Sequence, residues 1–239
     1  MISNIWHTVV YEPLYNTLAF ILTYTPGQYA WVGIVALTLL IRLILFPFYQ
    51  NMIRTQKVMR DIQPELKSLQ EKYKDNRAEL GLKTMAMYKE NKVNPFSMFG
   101  FLLFIQIPIF LGLYFVFSKG LVNHEGFLYS FISFPETVNN FFLGMDLMAV
   151  KVIPIAFLAG LAQYVHGHQT AAKQPTLKAR EKGETPSFGD ELQRSLQFQT
   201  LYFIPVLVTV TAYFFPAAIG LYWIVNSFVS IGQERLLTK

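Results

Sequence analysis

The chain has 239 residues, 53% of them hydrophobic and 16% aromatic against 15% charged, with a formal net charge of +5 and a mean hydropathy of +0.33. That balance describes an integral membrane protein rather than a soluble domain. The absence of cysteine excludes disulfides, thiolate metal sites and cysteine nucleophiles. A modest basic surplus is a question of where the charges sit, so no specific nucleic acid is expected as a partner.

Residues 1–28 contain no Lys or Arg and are interrupted by Glu12-Pro13. Leu14, Leu18, Ile21 and Leu22 recur at helical spacing after that proline, which predicts a short amphipathic helix lying on the outer membrane surface. A first span within this segment is the alternative. Thr25-Pro26-Gly27 breaks the chain before a five-span core over 29–239. Its first span, residues 29–49 (YAWVGIVALTLLIRLILFPFY), is long enough to cross a bilayer at ~1.5 Å per residue and carries a single charge, Arg42.

Residues 50–95 hold ten basic and six acidic residues, which places this loop in the cytoplasm by the positive-inside rule. Ile62, Leu66 and Leu69, then Leu82, Met85 and Met87, repeat at helical spacing on either side of Asp75-Asn76, so an αα-hairpin is expected. Spans follow at 96–118, 148–166, 201–215 and 217–231. The aromatic-rich stretch between the second and third is read as an outer loop or surface helix, and residues 167–198 as a flexible cytoplasmic loop. The last two spans meet at Phe215-Pro216 and are short for a ~30 Å hydrocarbon core, so the bilayer should thin beside them. The expected fold is therefore an all-α integral membrane protein with five spans, the N-terminus outside and the C-terminus cytoplasmic.

Arg42 stays protonated at any relevant pH, and mid-helix it costs roughly 2.5–3.5 kcal/mol on insertion scales. Every Asp and Glu falls outside the apolar runs, so no acidic partner within the membrane is expected. Either the side chain snorkels to the cytoplasmic interface or it faces a water-filled cavity where a passing anion could meet it. Thr38 shares its face one turn away; Gln106 and Phe110 share another; Trp223, Asn226 or Ser227, Ser230 and Gln233 run along the last span. Each stripe could simply glue helices together. With Arg42, a half-hydrated groove is the better explanation.

No Walker loop, GxSxG, HExxH or membrane-embedded carboxylate is present, so neither an enzyme nor a cofactor is expected. His166 and His168 form an H-x-H pair without a third ligand, and no metal site is expected.

Taken together, EPLYN at residues 12–16, IRLILFP at 41–47, MYKENKVNP at 87–95, IQIPIFLGLY at 105–114 and FPAAIGLYWIVNS at 215–227 resemble the YidC-type membrane protein insertases. The resemblance covers nearly the whole chain. It implies a groove open to the cytoplasm and to lipid, with Arg42, Thr38, Gln106, Ile107, Phe110, Tyr222 and Trp223 at family contact positions; Asn226 and Ser227 join them from the stripe. It implies newly made membrane proteins as clients, handed to the lipid bilayer of the bacterial plasma membrane without nucleotide hydrolysis. Action alone or with the Sec translocon is left open, and the short basic tail argues only weakly for the ribosome. A non-inserting scaffold or chaperone subunit is the alternative; a small-solute transporter fits less well, since it would usually show intramembrane acids or an inverted repeat.

Overall fold

The computed structural model describes residues 6–94, 102–119, 121, 126–172, 194–195 and 197–237. The first residues of the second expected span, most of the expected loop at 167–198 and the extreme ends of the chain lie outside the described residues. In chain order the elements are α1 (Glu12–Tyr24), α2 (Ala30–Ile44), α3 (Phe46–Asp61), α4 (Gln63–Lys72), α5 (Arg77–Glu90), α6 (Ile107–Ser118), a hairpin of β1 (Phe141–Phe142) and β2 (Met145–Asp146), α7 (Ile153–Ala172), α8 (Ile204–Phe214) and α9 (Ala217–Leu237).

Proline sets where these helices bend. Pro13, Pro108 and Pro205 each follow a π-helical turn: His7–Tyr11 before α1, Leu102–Gln106 before α6 and Gln199–Phe203 before α8. A proline ring collides with the carbonyl four residues back and offers no N–H. A wider turn moves that carbonyl aside, and the N–H groups of Glu12 and Ile204 reach His7 O and Gln199 O, five residues back. The helix continues through the proline. At Pro47 it does not. Leu45 leaves helical geometry (φ −87°, ψ 3°), and α3 departs from α2 at 64°.

The expected span at 29–49 is thus corrected to two helices meeting at Leu45. Among the described residues no single helix is long and apolar enough to cross a membrane; the bent α2–α3 pair passes by length and composition, while Phe104–Ser118 and Gln199–Phe214 are shorter apolar helices. The helix expected at 148–166 begins instead at Ile153 and runs to Ala172, because Lys151 takes a left-handed φ of 63°. The last helix continues past residue 231 to Leu237. The charged αα-hairpin is present as α4 and α5. Asn76 accepts from Glu79 N–H while its own amide meets the Glu79 carboxylate, both at 3.2 Å, a reciprocal cap that starts α5.

The main core gathers Tyr11, Tyr15, Leu18 and Leu22 with Ile34 and Leu37 of α2, Leu113, Val116 and Phe117 of α6, and Ala217, Ile219 and Tyr222 of α9. The first helix is therefore built into the same core as the rest. Asn16, the last residue of EPLYN and 1% exposed, fixes the loop after α6: its amide donates to Glu12 O (2.8 Å) and Phe127 O (2.7 Å), and its oxygen accepts from Tyr129 N–H (2.7 Å).

Small residues let α7 lie close to α8. A Cβ built on Gly160 would meet Thr209, and one on Gly167 would stand 2.6 Å from Thr200 O, a backbone atom that cannot swing away. Gly167→Ala is expected to cost on the order of 1–3 kcal/mol, read as a lower unfolding temperature in detergent; an unchanged temperature would show that the two helices separate freely there.

Among the described residues the β1–β2 hairpin is the one pair of strands, with an isolated bridge between Tyr29 and Asn139 beside it. Leu143 and Gly144 both have positive φ (50° and 78°), the signature of a two-residue I′ turn, and a leucine in that region costs about 1–2 kcal/mol. One side of the hairpin is tied to the start of α2 through Ala30 N–H to Asn139 O (2.9 Å) and Trp31 against Phe142 (5.8 Å). The segment after β2 holds the α8–α9 turn: Lys151 N–H donates to Tyr213 O (2.7 Å), and Ala217 and Ala218 donate to Ala149 O and Leu147 O.

Candidate functional site: a buried arginine held by neutral partners

Arg42 lies in the last turn of α2, only 4% exposed. It does not snorkel. Its Nε donates to Asn226 Oδ1 (2.7 Å), Nη1 to Gln233 Oε1 (3.0 Å), and Nη2 to Asn226 O (3.0 Å) and to Ser230 Oγ. The bend at Leu45 returns α3 toward the guanidinium, whose carbon stands 3.9 Å from the centroid of the Tyr49 ring. Among the described residues no carboxylate stands within salt-bridge distance of Arg42. Its charge is solvated by amides, a hydroxyl and a π face, none of which neutralises it.

A second chain of contacts leaves the same tyrosine. Tyr49 Oη donates to Gln106 Oε1 (3.2 Å), and Gln106 Nε2 donates to the Tyr222 hydroxyl (3.1 Å). Gln106 sits in the π turn ahead of Pro108. Arg42, Tyr49, Gln106 and Tyr222 thereby link α2, α3, the π turn ahead of α6 and α9, and the circuit closes through α9 itself, where Tyr222 and Asn226 stand one turn apart. Phe110, one turn beyond Gln106, stacks on Trp223 at 5.4 Å.

The structure sorts the expected site residues. Arg42, Gln106, Phe110, Tyr222, Trp223 and Asn226 belong to this connected group. Thr38 is buried but donates to Ile34 O of its own helix (2.6 Å), and Ile107 is exposed. Ser227 turns away: its hydroxyl donates to Gln163 on α7 (3.2 Å), so the choice between Asn226 and Ser227 falls to Asn226 on the Arg42 side. Tyr49 was missed by sequence reasoning, although its place two helical turns after Arg42 was a usable signal.

Beyond the apolar run of the last helix lies a second polar cluster the sequence did not disclose. Glu234 is 8% exposed; His166 Nε2 lies 3.2 Å from its Oε1, Thr170 donates to Oε1 (2.8 Å) and Gln169 to Oε2 (3.3 Å). His166 of the H-x-H pair is thus engaged by a carboxylate, while among the described residues no group of three possible metal ligands assembles. Burial by itself raises the Glu234 carboxyl, but the bonds from His166 and Thr170, the His166 charge and Gln169 outweigh it and hold the group at about 2. A carboxyl depressed in the folded state stabilises fully above its ordinary value and loses that contribution as pH falls toward 2. The unfolding temperature of the wild type is expected to drop between pH 5 and pH 2 by more than that of Glu234→Gln (about 1–3 kcal/mol of the difference); parallel curves would show that the cluster does not tie α7 to α9.

The outward faces of α2, α7 and α8 are apolar: Leu39, Leu43, Phe157, Leu161, Val206, Leu207 and Phe214 are all exposed. A helical bundle with an apolar exterior and a charged, hydrogen-bonded interior is the construction of an integral membrane protein with an internal polar site. A family model described as 60Kd inner membrane protein matches residues 21–239. Proteins named membrane protein insertase YidC are similar over most of the chain: that of Pelobacter propionicus at 28% identity over 235 residues (98% of this chain, 39% of the relative), that of Syntrophobacter fumaroxidans at 30% over 238 residues (98% and 38%) and that of Francisella tularensis subsp. novicida at 32% over 209 residues (87% and 32%). The chain thus belongs to the 60Kd inner membrane protein family, the YidC-type proteins of the bacterial inner membrane. It spans about two fifths or less of the length of these relatives.

Proposed function

We propose that this chain is a membrane protein insertase that takes client transmembrane segments from the cytoplasmic side into the bilayer without nucleotide hydrolysis. The observation that carries the proposal is Arg42, a full positive charge held inside the bundle by neutral acceptors alone. A carboxylate on a translocating segment can offer the guanidinium a charge-assisted, bidentate partner that Asn226 and Gln233 cannot. In low dielectric that attraction exceeds its value in water. The polar atoms of the circuit through Tyr49, Gln106 and Tyr222 then provide replacement hydrogen bonds for a polar segment crossing the apolar layer. The client displaces the α9 contacts to reach Arg42, so the groove is a state opened by the client. Newly made membrane proteins are the partners this chemistry selects.

The proposed topology has the N-terminus outside and the α4–α5 hairpin and C-terminus in the cytoplasm, from the basic surplus of residues 50–95. The wild-type chain lacks cysteine, so a single Glu71→Cys variant reports orientation directly: labelling from the cytoplasmic side is expected, and labelling from outside would reverse it. Insertion itself is tested by reconstituting the purified protein in liposomes and adding a short single-span client without nucleotide. Protease-protected client is expected. Client that associates with the vesicles but stays fully digestible would favour the non-inserting chaperone instead.

A further inference from the structure

We infer that the β1–β2 hairpin is a membrane-interface anchor, with Phe141 and Leu143 immersed at the headgroup–acyl boundary of the leaflet on the side of the α8–α9 turn. This rests on the reading that α8 lies across the membrane. Three observations carry it, and they are independent of one another.

The first is the composition of the hairpin. From Thr137 to Met145 the chain contains no charged residue, and its tip reads Phe141-Phe142-Leu143-Gly144-Met145; the hairpin's one charge is Asp146, at the base of β2 away from the tip, where its carboxylate accepts from Met148 N–H. Turns that face water favour Asn, Asp and Gly. Leu143 occupies the left-handed position where those residues belong, and 81% of its surface is open; Phe141 is 59% exposed. An apolar side chain kept at a strained, fully projecting position gains nothing from the fold, so its favourable contacts lie outside the molecule.

The second is depth. The helix that ends at Phe214 is continuous from at least Gln197, but its apolar run, residues 201–214, covers only about 21 Å at ~1.5 Å per residue, against a hydrocarbon core of ~30 Å. With one end at its own interface, the other ends short of the opposite one. The segment after the hairpin is hydrogen-bonded to that short end, at Tyr213, Ala217 and Ala218, so the hairpin is held at the level of lipid rather than above it.

The third is continuity. The exposed apolar residues Val150, Ile153 and Phe157 lead from the hairpin down α7, interrupted by the exposed Lys151, and Tyr29, just ahead of α2 and paired with Asn139, stands exposed beside the hairpin. Tyr29, Trp31 and Phe142 form a line of rings, at 6.5 and 5.8 Å. Aromatic residues at this level are the usual markers of a membrane–water boundary. The hairpin continues the lipid-facing surface, and lipid is the occupant it fits.

Anchoring here gives the fold a means of fixing α2, and with it Arg42, at one height in the bilayer. The test uses the cysteine-free chain in liposomes of phosphatidylethanolamine and phosphatidylglycerol. Single variants Leu143→Cys and Phe141→Cys carry a nitroxide, and its collisions with oxygen, which concentrates in lipid, are compared with those of a water-soluble nickel chelate. Val206→Cys on the exposed face of α8 and Lys74→Cys between α4 and α5 serve as lipid and water references. The oxygen-to-nickel ratio at Leu143 and Phe141 is expected to be several-fold above that at Lys74, at a depth shallower than Val206. A ratio equal to Lys74 while Val206 reports lipid overturns the anchor and leaves the membrane reading intact. A water-like ratio at Val206 as well overturns both. Protection of Leu143 from both reagents overturns lipid as the occupant, since the tip would then be covered by protein, a second copy included.

Discussion

Insertion of a client whose translocated segment carries Asp or Glu is expected to fall about tenfold or more when Arg42 is replaced by alanine. A hydrogen bond to a charged group is worth about 1.5–3 kcal/mol, and ~1.4 kcal/mol is a factor of ten. A matched client with those acids neutralised should change little. Arg42→Lys keeps the charge and should retain substantial insertion of the acidic client, though an ammonium cannot reproduce the fork that meets Asn226, Ser230 and Gln233 at once. Alanine does strand partners: Asn226 Oδ1 and Gln233 Oε1 both lose their donor. Each is a side-chain amide able to rotate toward other donors, and the cation's desolvation cost is removed with it. The folded state should therefore change by no more than about 1–2 kcal/mol. The measurement is insertion of both clients at equal membrane abundance, alongside thermal unfolding of each variant. Equal impairment of the two clients would assign Arg42 a structural role.

The largest expected loss of stability lies elsewhere, at Asn16. Asn16→Leu keeps the approximate volume and removes three hydrogen bonds, leaving Phe127 O and Tyr129 N–H without the partner that now satisfies them. An unsatisfied buried backbone group costs about 1–3 kcal/mol, so the two together should destabilise by on the order of 3 kcal/mol. The loop after α6 should loosen first. Two readouts are informative: the unfolding temperature, and the labelling rate of a cysteine at Ile132, which should rise. If the temperature falls but labelling at residue 132 does not change, Asn16 matters for α1 alone and the loop is held by its aromatic contacts.

Several features were legible before the structure because they follow from local rules. The charged αα-hairpin announced itself through apolar spacing on both sides of Asp75-Asn76; that Asn76 caps α5 came from the structure. The break at Phe215-Pro216 was readable from proline and from a run too long for one span. Arg42 stood out as a lone charge in an apolar helix. What could not be read was which face each neighbour turns inward. Asn226 and Ser227 are adjacent and equally polar, and only the packing of α9 between α2 and α7 separates them. Glu234 lies beyond the apolar stretch, and only the continuation of α9 to Leu237 brings it to His166 and Thr170. Pro47 breaks its helix whereas Pro13, Pro108 and Pro205 do not, because a preceding π turn can absorb a proline. The hairpin carried no Asn-Gly or Asp-Gly signal, since its turn is Leu143-Gly144.

A charge swap tests most directly whether Arg42 acts on the client rather than on the fold. Arg42→Glu is assayed with two clients that differ only in the charge of the translocated segment, acidic or basic, with wild type beside it. The groove-charge mechanism requires the preference to invert: wild type inserts the acidic client better, and Arg42→Glu recovers insertion of the basic client while failing on the acidic one. Failure of Arg42→Glu on both clients alike, with the protein folded and equally abundant, would contradict it.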